Sequence, residues 1–252
     1  MSKIVFPFAL LVTLFLNNAC THYYYVPNTI QAPFLQKQHD ARTSLGLIAG
    51  NQFTGWEAQA TYSPLKYTAV MFNYMRVSSN RDQDVNDDWG RGRTMEVAIG
   101  GYYPVRDFAT LSLFGGWGSG YSYNSYGANA VADLRFEKRF LQPGIAFQNK
   151  FVHIGTALRF TQLEYVKGKV DFEIGEPHLT TIQRIEDASP IFLPELSFNV
   201  GFGYRPFWGN LNLNFSNIDK REDFNFADFT YGISFMIEVD QLFRKKAETP
   251  DR

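Results

Sequence analysis

Histidines are the side chains best suited to hold a metal or move a proton near neutral pH. The chain has four: His22, His39, His153 and His178. No two stand at a spacing that a zinc site uses. His178 shares a long polar stretch with Asp171, Glu173, Glu176, Glu186 and Asp187. Carboxylates in that number could hold a divalent cation, but a charged loop is ordinarily just solvated. His153 alone lies within a segment of alternating apolar and polar residues. Two residues on stands Gly155, so the His-x-Ser pairing of a lipid deacylase is missing. His153 is expected to hydrogen-bond a neighbour. There is no G-x-S-x-G, no phosphate-binding loop and no paired-carboxylate signature. These residues therefore predict no catalytic group, no metal, no cofactor and no enzyme.

Two kinds of residue remain. The first is Cys20, the single cysteine. Lys3 precedes an apolar run, Ile4 to Leu16, which ends in Asn17-Asn18-Ala19-Cys20. A charged start, a short apolar core and a small residue at the cut predict a signal peptide over residues 1–19. The run is too short to span a bilayer as a helix, which takes about 20 residues. The Ala-Cys junction resembles a bacterial lipobox. That resemblance implies that the Cys20 thiol forms a thioether to diacylglycerol, with further acylation such as palmitate completing the anchor. The second kind is charge within otherwise apolar segments: Glu57, Glu96, Arg159, Glu195 and Arg205. They predict a polar network inside whatever the segments enclose.

The elements that would position these residues are strands. Residues 20–41 show no period, contain Pro27 and Pro33, and read as a lipid-anchored tether. About 20 extended residues reach at most about 70 Å. From residue 42 onward the period is two. In the last segment Phe229, Tyr231, Ile233, Phe235 and Ile237 form one row, opposed by Thr230, Gly232, Ser234 and Met236. Nine earlier segments repeat the pattern. Residues 42–240 are thus expected to form an all-β, up-and-down antiparallel transmembrane β-barrel of about ten strands. Residues 241–252 form a polar tail.

The connections alternate in length. The even-numbered ones are tight, as at Ser63-Pro64-Leu65-Lys66, Tyr103-Pro104-Val105-Arg106-Asp107, Gln148-Asn149-Lys150 and Arg205-Pro206-Phe207-Trp208-Gly209. The odd-numbered ones, the first excepted, are long and polar. Outer-membrane barrels pair short periplasmic turns with long extracellular loops. Both barrel ends then lie on the periplasmic side, where a lipid on Cys20 would enter the inner leaflet. The apolar rows run for about 9 to 11 residues, enough to cross a bilayer when tilted. Trp56, Tyr62, Tyr67, Tyr74, Tyr103, Trp117, Tyr204 and Trp208 are placed to form interfacial girdles. The opposite face carries too many polar groups for a dry core. Pro143, on a central strand, should remove a ladder bond or mark a bulge. The third connection is highly charged, with Arg81, Asp82, Asp84, Asp87, Asp88, Arg91 and Arg93.

Composition agrees. The 252 residues include 24 Phe, 14 Tyr and 4 Trp, too aromatic for a disordered chain. A mean hydropathy of -0.24, with no apolar run of about 18 residues, excludes a helical membrane bundle. One cysteine excludes a disulfide scaffold. A net charge of -1 gives no electrostatic case for nucleic acid.

The segment Cys20-Thr21-His22-Tyr23-Tyr24-Tyr25-Val26-Pro27-Asn28, then Pro33-Phe34-Leu35, resembles a group of uncharacterised exported proteins of Bacteroidota. Gly55 to Pro64 and Gly100 to Val105 are similar to the group's hairpin ends. The resemblance implies a lipoprotein-type signal followed by a small outer-membrane β-barrel, with no activity to carry over. The expectation is a lipid-anchored barrel in the outer membrane of a Gram-negative bacterium. Its role is structural or surface-binding, through long extracellular loops and an unidentified ligand. Its partners are membrane lipid and the barrel-assembly machinery. The alternatives are an enzyme on envelope lipids, a narrow channel for a small polar solute, or a soluble lipocalin-like carrier.

Overall fold

A computed structural model describes residues 22–79, 88–126, 130–170, 176–216 and 224–243. The signal segment, Cys20, Asp82, Asp84, Asp87, Asp171 and Glu173 lie outside the described residues.

Ten strands close into one barrel: β1 (Ala41–Ala49), β2 (Thr54–Leu65), β3 (Thr68–Ser78), β4 (Asp88–Arg106), β5 (Ala109–Tyr126), β6 (Val131–Gln148), β7 (Val152–Val170), β8 (Ile191–Tyr204), β9 (Phe207–Phe215) and β10 (Phe229–Glu238). Each pairs antiparallel with its neighbours in sequence, and β1 pairs with β10 to close the ring. Closure leaves no unpaired sheet edge. Among the described residues, two helices accompany the strands. The first, α1 (Glu176–Ala188), lies in the connection from β7 to β8; the second, α2 (Val239–Phe243), follows β10.

The period-two pattern sets the register. Leu45 and Leu47 point outward while Ser44 and Gly46 face in, and Val97 and Ile99 point outward while Glu96 and Ala98 face in. Apolar side chains from every wall are exposed, among them Ile99 at 63%, Phe202 at 64% and Phe235 at 51%. The short connections all fall at one rim and the longer ones at the other, as expected from their lengths.

Four strands are longer than the apolar rows suggest. β4 to β7 run for 18 or 19 residues. The upper halves of β4 and β6 carry outward Arg91, Arg93, Arg135 and Arg139 in place of apolar residues. The alternation continues there, but the outward row turns polar, so hydropathy no longer marks it. Pro143 keeps its outward place and pairs with Leu113. The ladder to β7 is interrupted beside it, between Leu141↔Phe160 and Gly144↔Ala157. The missing amide hydrogen thus falls where β7 makes no pair.

The connection from β7 to β8, expected as a solvated loop, contains α1. Pro177 in its first turn suits a helix start. Ile182 and Ile185, three apart on one face, pack with Leu134, Leu163 and Leu193 over the lumen mouth.

Candidate functional site: a lumen filled by the chain itself

Residues 22–36 do not form a tether. They run through the interior of the barrel, with Tyr24, Thr29, Ile30 and Leu35 fully buried. A closed barrel lined with polar side chains offers hydrogen bonds that an extended segment without a partner strand needs. The segment's backbone takes them. Ser122 Oγ donates to the Tyr23 carbonyl at 2.5 Å. The Thr29 amide donates to Glu57 Oε2 at 3.1 Å, and Gln59 Nε2 donates to the Thr29 carbonyl at 2.9 Å. The Ile30 amide donates to Asn214 Oδ1 at 3.2 Å, and Ser197 Oγ to the Ile30 carbonyl at 2.6 Å. Gln142 Nε2 donates to the Gln31 carbonyl at 2.9 Å.

The charged residues expected inside do meet there, and residues 22–36, which plug the lumen, join them. Glu96 pairs with Lys138 and with Arg159, the latter at 3.1 Å. It also accepts from Asn73 Nδ2 at 2.8 Å and from Asn28 Nδ2 at 3.0 Å. Arg159 Nη2 donates to Gln142 Oε1 at 2.7 Å. Lys138 Nζ donates to the Tyr25 hydroxyl at 3.1 Å, and that hydroxyl donates to Glu195 Oε1 at 3.0 Å. Thr161 Oγ1 holds the other Glu195 oxygen at 2.7 Å. Desolvating these ions is costly, and the pairing and hydrogen bonds offset it. Glu57, Glu96, Arg159 and Glu195 are therefore parts of one socket for the segment.

Arg205 is not among them. It lies in the tight turn after β8, is exposed, and reaches over the short-turn rim to Glu238 Oε2 at 3.2 Å. The turn carries it past the last lumen-facing position. The buried partner of Glu238 is Arg42, at 2.6 Å. Trp208, expected in an interfacial girdle, is instead fully buried in the lumen. It pairs with Met236 on the inward row, one place out of step with Phe207 and Gly209. His153 does face the lumen, but neither ring nitrogen has a protein partner, so the expected bond to a neighbour is not made.

Reasoning from the sequence missed Lys138, Tyr25 and Asn28. Lys138 was legible: extending the inward row of β6 back from Gln142 through Phe140 reaches it. Tyr25 and Asn28 carry no such signal, because their partners come from several strands.

Small residues make room for the plug. A Cβ on Gly144 would stand 3.1 Å from the Ala32 Cβ. Ala32 packs with Phe34, Ala146 and Ala157. Beside the plug a void of about 30 Å³ lies by Tyr23 and Phe53, and one of about 10 Å³ by His153. Each has room for little more than a water or two.

At the short-turn rim the chain reverses into β1. The Gln36 and Lys37 amides donate to Asp40 Oδ2 at 2.7 and 3.0 Å. His39 adopts a positive φ of 66° in that reversal, and its Nδ1 meets the Tyr62 hydroxyl at 2.9 Å. Burial raises the Asp40 carboxyl above its ordinary range, against the lowering effect of the Gln36 amide, Arg42 and Arg205. The Asp240 carboxyl is raised by burial and then by the charge of Asp40.

A closed antiparallel barrel with an apolar outside and an ionic inside is built on the plan of outer-membrane β-barrels. No known family's sequence profile matches the chain, and no curated protein matches it. Among solved structures it is similar to Ail, the attachment invasion locus protein of Yersinia pestis. The identity is 10% and the TM-score 0.39, over 79% of this chain and 99% of that one. It is also similar to CdiB from Acinetobacter baumannii, at 10% identity and a TM-score of 0.22, over 81% of this chain and 60% of that one. At such scores neither adds to what the strand pairing itself establishes.

Proposed function

We propose that the protein is an outer-membrane barrel that is closed by its own N-terminal segment and acts through its outward surface, without catalysis. The reading is carried by the inversion of the usual pattern. Arg159, Lys138 and Glu96 are buried inside while Val97, Ile99, Leu111, Leu113, Phe202 and Phe235 stand exposed outside. In water that exterior would be an apolar patch far larger than soluble monomers carry; in a bilayer it is solvated by lipid. Its long connections face outward, by the general rule for such barrels. Membrane lipid and the barrel-assembly machinery are its partners, together with an external ligand met by the loops.

The occupied lumen speaks against the narrow channel. It also speaks against a soluble carrier, which would need an apolar interior with space for a ligand. The test is fractionation of the full chain. The proposal expects it in the detergent-resistant outer-membrane fraction, with a folded band that shifts in mobility on heating. Recovery as a soluble periplasmic protein without detergent would overturn it.

A further inference from the structure

The plug has a direction, and β5 measures it. Near one rim His22 Nε2 is 2.9 Å from the carbonyl of Ser125, close to the last residue of β5. Near the other rim Thr110 Oγ1, one residue from the start of β5, donates to the Leu35 carbonyl at 2.9 Å. The fifteen residue steps along β5 from Thr110 to Ser125, at about 3.3 Å per residue and a tilt of about 40°, correspond to about 40 Å of barrel height. That exceeds the roughly 30 Å hydrocarbon core of a bilayer. The segment therefore crosses the full height of the barrel, from the long-loop rim to the short-turn rim, before it turns at Asp40 into β1.

At the long-loop rim the end is seated, not loose. His22 stacks on Tyr126 with ring centroids 4.1 Å apart, and His178 of α1 packs on both rings. The Tyr24 hydroxyl meets that of Tyr126 at 2.8 Å. The backbone of Tyr25 bridges Phe226, next to β10. On β5 the outward apolar row ends at Trp117, so the strand rises nine residues, or about 20 Å, past the apolar belt.

We infer that the barrel carries the N-terminal end of its own mature chain to the outer face and displays it at the top of the β4–β7 wall. The inference rests on the membrane reading above, which fixes the long-loop rim as the outer one. It replaces an inner-leaflet anchor. Cys20 is two residues from His22, a reach of about 7 Å, against about 40 Å of filled barrel. With the plug seated, an acyl group on Cys20 belongs to the outer side of the membrane. At that rim the end is held by the buried His22 ring together with the half-buried rings of Tyr126 and His178.

The test places a short epitope between Thr21 and His22 of the full chain, and in a second version the same epitope after Arg252. Both are expressed in cells, and antibody binding is compared before and after the outer membrane is permeabilised. Folding is checked by the heat-dependent mobility shift. The inference expects the first epitope to be bound on intact cells, with less than a twofold gain on permeabilisation. The second should be bound only after permeabilisation. A first epitope that, like the second, is reached only after permeabilisation overturns the inference and leaves the barrel reading standing. A second epitope reached on intact cells shows instead that the assumed orientation has failed. Should the first epitope prevent folding, Thr21→Cys replaces it, with a membrane-impermeant maleimide and peptide mass as the readout. Labelling on intact cells is expected; labelling only after permeabilisation, or none in either state, overturns the inference.

Discussion

Asn28 and Glu96 meet inside the barrel, the Asn28 Nδ2 donating to Glu96 Oε2 at 3.0 Å. The same carboxylate holds Lys138 and Arg159, and the Asn28 Oδ1 accepts from both of those cations, at 3.1 and 3.3 Å. One amide on the N-terminal segment thus completes an ionic cluster drawn from three strands. The plug and the wall stabilise each other at this point.

Glu96→Gln should be the most damaging single change in the lumen. It leaves two buried cations without their counter-charge, and breaking such a pair costs about 3–5 kcal/mol. Glu57→Gln should cost about 1 kcal/mol or less, because the new amide oxygen can still accept from the Thr29 amide. Unfolding midpoints of the detergent-folded proteins in urea check both.

Tyr25→Phe removes the hydroxyl between Lys138 and Glu195. Leaving buried partners unsatisfied costs about 1–3 kcal/mol. The same urea titration should show a loss of that size, with the heat-dependent mobility shift retained.

Removing residues 22–36 should empty the lumen. A ring of buried charge would then hydrate, and a path for ions would open. Planar-bilayer recording is expected to show discrete conductance steps for the deletion and none for the full chain.

Acid should stabilise the short-turn rim. A carboxyl whose pKa is raised by folding binds protons that the unfolded chain has already released. Its stabilising contribution is present at low pH and is lost as pH rises through the folded-state value. Asp40 and Asp240 both act in this sense. Thermal unfolding in detergent should shift upward as the pH falls from neutral toward the usual carboxylate range. Asp240→Asn should flatten that slope, since it removes one titrating group and its repulsion of Asp40.

The strands were legible because their physics is local. Alternation needs only neighbouring residues, and it placed Glu57, Glu96, Arg159 and Glu195 on the inner face. It failed where the outer row stops being apolar, so β4 to β7 read as shorter than they are. It also failed at Trp208, a residue large enough to suit a girdle or a lumen. The plug was illegible for a different reason. Its bonds go to side chains on several strands, at separations such as 110 residues between Asn28 and Lys138. No local period records such pairings, and two prolines in a stretch without pattern look the same in a tether and in a plug. Arg205 was misplaced by a turn boundary, where the inward and outward rows lose their meaning.

The occupied lumen is the claim on which the rest depends, and a disulfide tests it most directly. Ala32→Cys and Gly144→Cys would place two Cβ atoms about as close as a disulfide requires, after a shift of a few tenths of an ångström. The account predicts that the folded double variant forms this bond under mild oxidation, found by peptide mass as a 32–144 cross-link, with neither single variant giving it. A double variant that shows the heat-dependent mobility shift, yet leaves both thiols free, would contradict it.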